Sequence, residues 1–224
     1  MLPYPIGFMQ GAAGHGPLTC TYIAGASIGS SASPFTFNSR AIGTPVTDRL
    51  VVCVASISGP DPAFINSLTI GGNAATLHRQ SNSTFRRATV GIASLLVPTG
   101  LNANIIVNSS NNEQRCRLDV YTITGYTSAT PVDSASNNSP SSTILSATLT
   151  SAAGDVTIGG ACKADNASCA WTGDLTLTED GDIVIDSTLG ASCAHGLAID
   201  TSTLLTSTWS GGADASGIVV ANWR

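Results

Sequence analysis

Residues 25–29 have the Gly-x-Ser-x-Gly spacing of a serine nucleophile elbow, with Ser27 in the position of the nucleophile. An elbow holds its serine on a sharp turn from a strand into a helix, near backbone amides that stabilise an oxyanion. The sequence that follows is Ser-Ser-Ala-Ser-Pro, which does not begin a helix, and 23 glycines make a chance match easy. We therefore expect no nucleophile elbow here.

Carboxylates are densest between residues 174 and 186, at Asp174, Glu179, Asp180, Asp182 and Asp186. A pair of carboxylates can hydrolyse a glycosidic bond, and several together can bind Ca²⁺. Their spacing does not match an EF-hand loop, and Asp-Gly is a common turn dipeptide. The pattern favours the solvated tip of a hairpin, so we predict neither a metal site nor a catalytic acid.

The histidines are His15, His78 and His195, and His195 lies two residues from Cys193 on one face of a predicted strand. A catalytic Cys–His pair needs a third group that orients the imidazole, and the sequence indicates none. We expect His78 and His195 to make structural hydrogen bonds or to lie at the surface.

The six cysteines fall into two groups. Cys53 and Cys116 align with apolar neighbours in predicted strands, which is typical of small buried side chains. Cys162 and Cys169 bracket the polar stretch Lys-Ala-Asp-Asn-Ala-Ser, so a disulfide across the mouth of a hairpin is a candidate. Cys20 or Cys193 are equally open to pairing elsewhere. The spacing does not match a zinc site.

One tryptophan is a candidate for glycan contact. Trp209 and Trp223 fall in predicted strands, where tryptophan more often seals a core or an edge. Trp171 falls in a predicted loop, where its ring is free to stack on a sugar.

Charged residues make up 10% of the chain, against roughly 25% in ordinary soluble domains. The net charge is -5, and because phosphate binding requires clustered Lys and Arg we predict no nucleic-acid partner. The nearest basic cluster, Arg79 with Arg86 and Arg87, is typical of a solvated edge or an interface anchor. Apolar runs of strand length predict no membrane span, and Met1–Gln10 lacks the pattern of a secretory signal.

The clearest strand is Gln114–Gly125, in which apolar and polar residues alternate up to a closing glycine. One face carries Cys116, Leu118, Val120 and Thr122, and the other carries Arg115, Arg117, Asp119 and Tyr121. We expect the first face to lie on a core and the second to be exposed.

Other strands follow from apolar runs between turn residues. They are Leu18–Ala26, Pro34–Phe37, Val46–Ile57, Arg86–Pro98, Ala103–Ser109, Ile144–Thr150, Asp155–Lys163, Ser192–Ile199, Leu204–Ser210 and Ile218–Trp223. Val46–Ile57 is apolar on both faces and is predicted to be central.

Two hairpins and one long loop are also predicted. Ser67–Gln80 turns at Gly71-Gly72-Asn73, which supply the positive φ angles of a tight turn. Leu175–Ile185 turns at Asp180-Gly181 through a three-residue loop that places Leu177, Ile183 and Ile185 on one face. Tyr126–Ser142 is a long polar loop.

Together these elements predict an all-β protein, an antiparallel β-sandwich of jelly-roll type with little or no helix. We expect one sandwich domain over residues 18–224, preceded by an extended arm at residues 1–17. Such an arm needs a surface to lie on, for example that of a neighbouring subunit. No internal repeat of 20–50 residues is visible.

Several strand-and-turn motifs are distinctive. They are Ile70-Gly-Gly-Asn-Ala-Ala-Thr, Leu96-Val-Pro-Thr-Gly, Asp119-Val-Tyr-Thr-Ile-Thr-Gly with Thr130-Pro-Val-Asp, Ala170-Trp-Thr-Gly, Thr178-Glu-Asp and Val220-Ala-Asn-Trp-Arg. From about Asp48 to Arg224, the chain resembles a group of virion proteins of tailed bacteriophages and prophages, common in phages of alphaproteobacteria.

The resemblance implies a non-enzymatic β-sandwich protein of the phage surface, which decorates the head or belongs to a spike or fibre. Such a protein assembles in the host cytoplasm and is then extracellular as part of the virion. The implied partners are the major capsid protein or other virion proteins and further copies of the chain, and no cofactor is implied. The alternative function is a carbohydrate-binding module, or a tail- or fibre-associated protein, that aids adsorption to a host surface glycan.

Overall fold

The computed structural model describes residues 16–59, 63–81 and 87–224. Sixteen β-strands and no helix occupy those ranges: β1 Thr19–Ile28, β2 Phe35–Ala41, β3 Leu50–Ser58, β4 Ile65–Ile70, β5 Asn73–Gln80, β6 Ala88–Leu96, β7 Asn102–Ser109, β8 Arg115–Thr124, β9 Asp133–Ser139, β10 Ile144–Thr150, β11 Val156–Lys163, β12 Cys169–Gly173, β13 Leu175–Ile185, β14 Leu189–Ala198, β15 Ser202–Trp209 and β16 Ser216–Trp223. The predicted all-β fold with antiparallel pairing is confirmed. Within the described ranges no helix is long and apolar enough to cross a membrane.

The first eight strands form one curled sheet in the order β1-β8-β3-β6-β5-β4-β7-β2. The curl encloses a core of apolar side chains that includes Phe35, Ile57, Leu68, Ile105 and Leu118. This half has the strand order of a jelly roll, in which four-stranded sets face each other across a core.

The last eight strands form two sheets, a five-stranded sheet in the order β13-β14-β11-β16-β9 and a three-stranded sheet in the order β10-β15-β12. Leu145, Leu149, Leu205, Ile218 and Val220 lie in the core between these two sheets.

The two halves repeat one topology. If eight is subtracted from each strand number of the second half, its sheets read β5-β6-β3-β8-β1 and β2-β7-β4. This is the order of the first half with a single pairing, β5 to β4, left open. The chain therefore contains two jelly rolls, and the repeat is far longer than the 20–50 residues that mark a solenoid.

A central core joins the two jelly rolls back to back. It contains Leu50, Val52, Val54, Val90, Ile92, Tyr121 and Ile123 of the first roll and Val156, Ile158, Ala191, Cys193, Val219, Ala221 and Trp223 of the second. Every residue of β3 is buried, which confirms the prediction of a central strand that is apolar on both faces. Whether residues 18–224 behave as one domain stays a prediction.

Strand β11 packs closely against the first jelly roll on one face and against the three-stranded sheet on the other, because it carries two consecutive glycines. A Cβ on Gly160 would overlap the side chain of Val54 and lie 2.9 Å from Val90 Cγ2. A Cβ on Gly159 would lie 3.0 Å from the ring of Trp171. Any larger residue at these positions would push the layers apart.

The strand predicted at Gln114–Gly125 corresponds to β8, but the expectation of one exposed face is wrong. Cys116, Leu118 and Val120 lie inside the first jelly roll, as predicted. Tyr121, on the opposite face, lies in the central core because the second jelly roll packs there.

Leu175–Ile185 is one strand rather than a hairpin. It pairs with β14 along its length, and the register shifts between Glu179 and Gly181. Asp180 is therefore the extra residue of a β-bulge, and the Asp-Gly dipeptide serves the bulge instead of a turn. Leu177 lies in the core of the second jelly roll and Ile183 against the central core, so they do not share a face.

Two further strands lie where the sequence predicts loops. β9 falls within the predicted loop Tyr126–Ser142, and β12 contains Trp171. β9 has no large apolar residue, so it lacks the alternation that reveals a strand, and it forms through backbone pairing with β16 at the edge of the sheet.

The predicted hairpin Ser67–Gln80 is confirmed. Ile70 pairs with Asn73 across a two-residue turn in which Gly71 and Gly72 have φ angles of 59° and 82°. The predicted arm at residues 1–17 lies outside the described residues except for its last two positions.

Candidate functional site

A polar cleft lies where the ends of strands from both jelly rolls meet. Its volume is about 700 Å³, within the usual range of small-molecule sites. Its lining residues are Ser58, Gly59, Arg87 and Gln114 from the first jelly roll and Ala164, Asp165, Ser187, Thr188 and Asp214 from the second. These nine residues define the polar cleft.

The first wall of the polar cleft is formed by the ends of three central strands. Ser58 ends β3, Arg87 precedes β6 and Gln114 precedes β8. The amide of Gln114 donates to the carbonyl of Ser58 at 2.8 Å, and the amide of Gly59 donates to that of Arg87 at 2.9 Å. Ladder hydrogen bonds thus fix the backbone of this wall.

Lys163, which is fully buried, holds the second wall. Its ammonium donates to the carbonyls of Ser210 at 3.1 Å and Gly212 at 2.6 Å. It also lies 3.6 Å from the carboxylate of Asp165. The ammonium therefore ties together the two loops that present Asp165 and Asp214.

An ion pair connects the two walls. Arg115 Nε donates to Asp186 Oδ2 at 2.7 Å, which links the start of β8 to the turn between β13 and β14. Ser187 and Thr188 lie in that turn, so the ion pair sets their distance from Gln114. At the surface such a pair contributes little to stability, and its effect here is on geometry.

Two buried hydroxyls of the polar cleft have no hydrogen-bond partner among the described residues. Ser58 is only 2% exposed, and its Oγ bonds to no other atom of the described residues. The buried Oγ1 of Thr188 likewise has no hydrogen-bond partner among the described residues. Buried polar atoms are nearly always paired, so unpaired ones call for an explanation.

A second polar cluster lies inside the molecule, between β8 and the bulge of β13. The carboxylate of Asp180 accepts from the phenol of Tyr121 at 2.8 Å and lies 2.7 Å from Nδ1 of His195. The rings of Tyr121 and His195 meet edge to face at 5.8 Å. The bulge allows this contact because it turns Asp180 towards the central core.

A buried ion pair continues this cluster into the first jelly roll. Arg117 donates to Asp119 at 2.7 Å, and both side chains are nearly inaccessible. The phenol of Tyr22 donates to Asp119 at 3.0 Å, and Arg117 reaches Ser27 Oγ at 3.3 Å. The face predicted to be exposed is buried, and the pairing of Arg117 with Asp119 offsets part of the cost of removing their charges from water.

The buried cluster holds no activated nucleophile. Burial raises the pKa of the Cys20 thiol to about 12, and the charge of Asp180 adds to this effect. Burial also raises the pKa of Cys193 and of Tyr121 well above their ordinary values. Because the thiolate is the reactive form of cysteine, these raised pKa values do not fit thiol catalysis.

Metal binding has little support in the described part of the chain. No group of three or more His, Cys, Asp and Glu side chains in residues 16–59, 63–81 and 87–224 is placed to hold an ion.

The predicted disulfide is not formed. The six cysteines form no disulfide, and Cys162 lies in the central core whereas Cys169 lies in a separate cluster with Trp209. The polar stretch between them does not form a hairpin mouth, because β11 and β12 belong to different sheets. The prediction that Cys53 and Cys116 are buried is confirmed.

Trp171 does not present an exposed ring. It lies half-buried on β12 over Gly159, and its indole N–H donates to Ser192 Oγ at 2.7 Å. Trp209 and Trp223 are buried in cores, as predicted.

The remaining candidates have structural partners. Ser27 lies within β1 and accepts from Arg117, and no strand-to-helix turn is present at this position. His78 lies 2.7 Å from Ser94 Oγ, which confirms the predicted structural hydrogen bond. Arg79 donates to Ser136, whereas His15 and Arg86 lie outside the described residues.

The acidic group does not lie at a hairpin tip, because Leu175–Ile185 is one strand, but Asp174, Glu179, Asp182 and Asp186 are exposed, as predicted. Asp180 is buried in the cluster with His195, and Asp186 pairs with Arg115. Burial raises the pKa of Glu179 and of Asp182, and the charge of Asp182 adds to the rise at Glu179. The sequence signal for the bulge was the Asp-Gly dipeptide, which marks bulges as well as turns.

The polar cleft was missed because its residues form no motif. Its sequence signal is weak: polar residues at or just beyond the ends of apolar strands, such as Ser58 at the end of β3 and Asp165 two residues beyond β11. No protein-family model matches the chain, and no curated protein matches it.

Proposed function

We propose that the protein is a non-enzymatic structural subunit of a bacteriophage particle, which decorates the capsid or a vertex and packs against neighbouring subunits. What supports the proposal is an apolar corner of the first jelly roll, formed by Val46, Leu96 and Leu101. These side chains are 41, 48 and 62% exposed. Exposed apolar side chains of this size favour contact with another protein surface.

The apolar corner is rigid because a buried arginine holds its loops. Arg49 is 0% exposed, and its guanidinium donates to the carbonyls of Val97, Thr99 and Gly100 at 2.7–2.8 Å. It also donates to the carbonyl of Gly43. A preformed surface loses little conformational entropy when a partner binds, which favours association.

The low charge of the chain fits a contact of this kind. Charged residues are depleted in the centres of protein interfaces, and they make up only 10% of this sequence. Contacts between subunits in an array require several such surfaces on each copy. Ile199, on the other jelly roll, is 64% exposed and lies outside the apolar corner.

Copy number in purified particles tests the proposal. Phage particles are prepared from cells whose own copy of the gene is replaced by wild type, Leu101→Asp or Ile199→Asp, and the chain is quantified by mass spectrometry. Wild type is expected at hundreds of copies for capsid decoration or at tens for a vertex spike. Leu101→Asp is expected to lower incorporation at least tenfold, because a charge would be buried in the contact.

Ile199→Asp is the matched control, since it places the same charge at an equally exposed apolar position outside the apolar corner. Absence of the wild-type chain from particles would overturn the proposal. Equal incorporation of wild type and Leu101→Asp would show that the apolar corner is not the surface that contacts neighbouring subunits.

A carbohydrate-binding role in host adsorption, as a module or a tail- or fibre-associated protein, is the second candidate. Its predicted contact, Trp171, is half-buried and bonded to Ser192. The observation that now favours this role is the polar cleft.

A further inference from the structure

We propose that the polar cleft binds a neutral saccharide unit. The inference goes beyond a structural role in a particle, and it holds or fails whether or not the chain is incorporated into one. It assigns the site to residues of both jelly rolls, among them Ser58, Arg87, Gln114 and Asp214.

The unpaired hydroxyl of Ser58 is the first argument. Leaving a buried hydroxyl without a partner costs roughly 1–3 kcal/mol, so a ligand group that pairs with Ser58 Oγ would recover part of that free energy. Alanine would fit the same position without that cost. Both unpaired atoms, Ser58 Oγ and Thr188 Oγ1, belong to residues that line the polar cleft, where a ligand hydroxyl would supply the partners that they lack.

The chemistry of the lining is the second argument. Side-chain hydroxyls of Ser58, Ser187 and Thr188 both donate and accept, as sugar hydroxyls do. Arg87 supplies only donors, and the carboxylate of Asp214 only acceptors. Such a mixture matches a ring that carries several hydroxyl groups.

Other ligand classes fit the lining less well. The lining contains two carboxylates, Asp165 and Asp214, and one guanidinium, Arg87, and this negative balance disfavours phosphate and other anions. No large apolar side chain lines the polar cleft, which disfavours lipids and aromatic compounds. The carboxylate of Asp165 already pairs with Lys163 and accepts from the amide of Asn166, so few of its lone pairs remain to coordinate a cation.

The polar cleft is also held in shape before any ligand arrives. Lys163 fixes the loops of Asp165 and Asp214, and the pair of Arg115 with Asp186 fixes the turn of Ser187 and Thr188. Asp214 itself is oriented by the amide of Ala215, which donates to its Oδ1 at 2.7 Å. Preorganisation of this kind improves affinity without further contacts.

Binding is tested with the full chain. Saturation-transfer NMR against glucose, galactose, mannose and N-acetylglucosamine, together with an array of neutral oligosaccharides, is expected to identify at least one bound sugar. Titration calorimetry with that sugar then compares wild type with variants. Asp214→Asn and Arg87→Gln are expected to weaken binding about tenfold or more, and Ser58→Ala about two- to tenfold.

Matched controls separate binding from folding. Ser207 is also fully buried with an unpaired Oγ, but it lies outside the polar cleft, so Ser207→Ala is expected to leave affinity unchanged. Asp174→Asn is the control for Asp214→Asn. Ser58→Ala is expected to melt no lower than wild type, because it removes a hydroxyl that bonds nothing.

Three outcomes would overturn the inference. They are the absence of binding to every neutral saccharide, binding that Ser58→Ala, Arg87→Gln and Asp214→Asn all leave unchanged, and binding only of galacturonate, glycine or Ca²⁺ in parallel titrations.

Discussion

At the scale of single residues, burial keeps reactive groups in their neutral form. Cys53, Cys116 and Cys193 are fully buried, and burial raises the pKa of each thiol. Burial also raises the pKa of the Tyr121 phenol, which lies next to Asp180. These side chains are therefore packing elements rather than nucleophiles, which agrees with a structural role for the buried cluster.

The pH dependence of stability follows from the thiol of Cys20, whose pKa rises from 9.0 to about 12 on folding. Because the folded pKa is the higher one, the contribution of this thiol is fully present below pH 9 and is lost as pH rises towards 12. The free energy of unfolding is expected to fall above pH 9, by about 1.4 kcal/mol per pH unit for each such thiol. Urea unfolding under reducing conditions between pH 7 and pH 10.5 measures this slope.

Cys20→Ala provides the comparison for this prediction. The variant is expected to have a shallower slope above pH 9 and an unchanged slope below it. Identical slopes for the two proteins above pH 9 would show that Cys20 ionises equally in the folded and unfolded states.

At the scale of elements, β11 determines how closely the layers pack. Its glycines allow one strand to approach the first jelly roll on one face and Trp171 on the other. The burial pattern of β11 shows no exposed position at all. The sequence predicts this strand from its apolar run rather than from alternation, because both of its faces lie in cores.

Gly160→Ala is expected to lower the free energy of unfolding by about 1–3 kcal/mol, because its Cβ would overlap Val54 in a well-packed core. Urea or thermal unfolding measures the change. Gly212→Ala is the control, since nothing lies within 4 Å of the position its Cβ would take. A variant at Gly160 as stable as wild type would mean that the two jelly rolls separate readily at this point.

At the scale of the whole molecule, the central core makes the two jelly rolls depend on each other. Each roll buries one sheet face against the other, so neither could lose its partner without exposing a large apolar surface. The polar cleft depends on the same arrangement, because its two walls come from different rolls.

The shared core predicts one cooperative unfolding transition. Trp171, Trp209 and Trp223 report on the second jelly roll, whereas labelling of Cys53 and Cys116 reports on the first. Urea midpoints from tryptophan fluorescence and from labelling at these two thiols are expected to coincide. Two separate midpoints would mean that the rolls unfold independently.

Local sequence patterns were sufficient for much of the fold. The all-β class, the central position of β3, the Gly71-Gly72 hairpin and the burial of Cys53 and Cys116 all follow from alternation and turn chemistry, which act over a few residues. The same patterns failed at β9, which lacks apolar side chains, and at β13, where Asp-Gly forms a bulge.

Only the tertiary structure decided which distant residues meet. Ser58 and Asp214 share the polar cleft, and Asp180 reaches Tyr121 and His195, because two jelly rolls of the same topology pack back to back. The sequence by itself determined most of the segments that become strands, since that depends on near neighbours along the chain. The order of the strands depends on long-range packing that no local pattern encodes. The burial of the second face of β8 depends on the same packing.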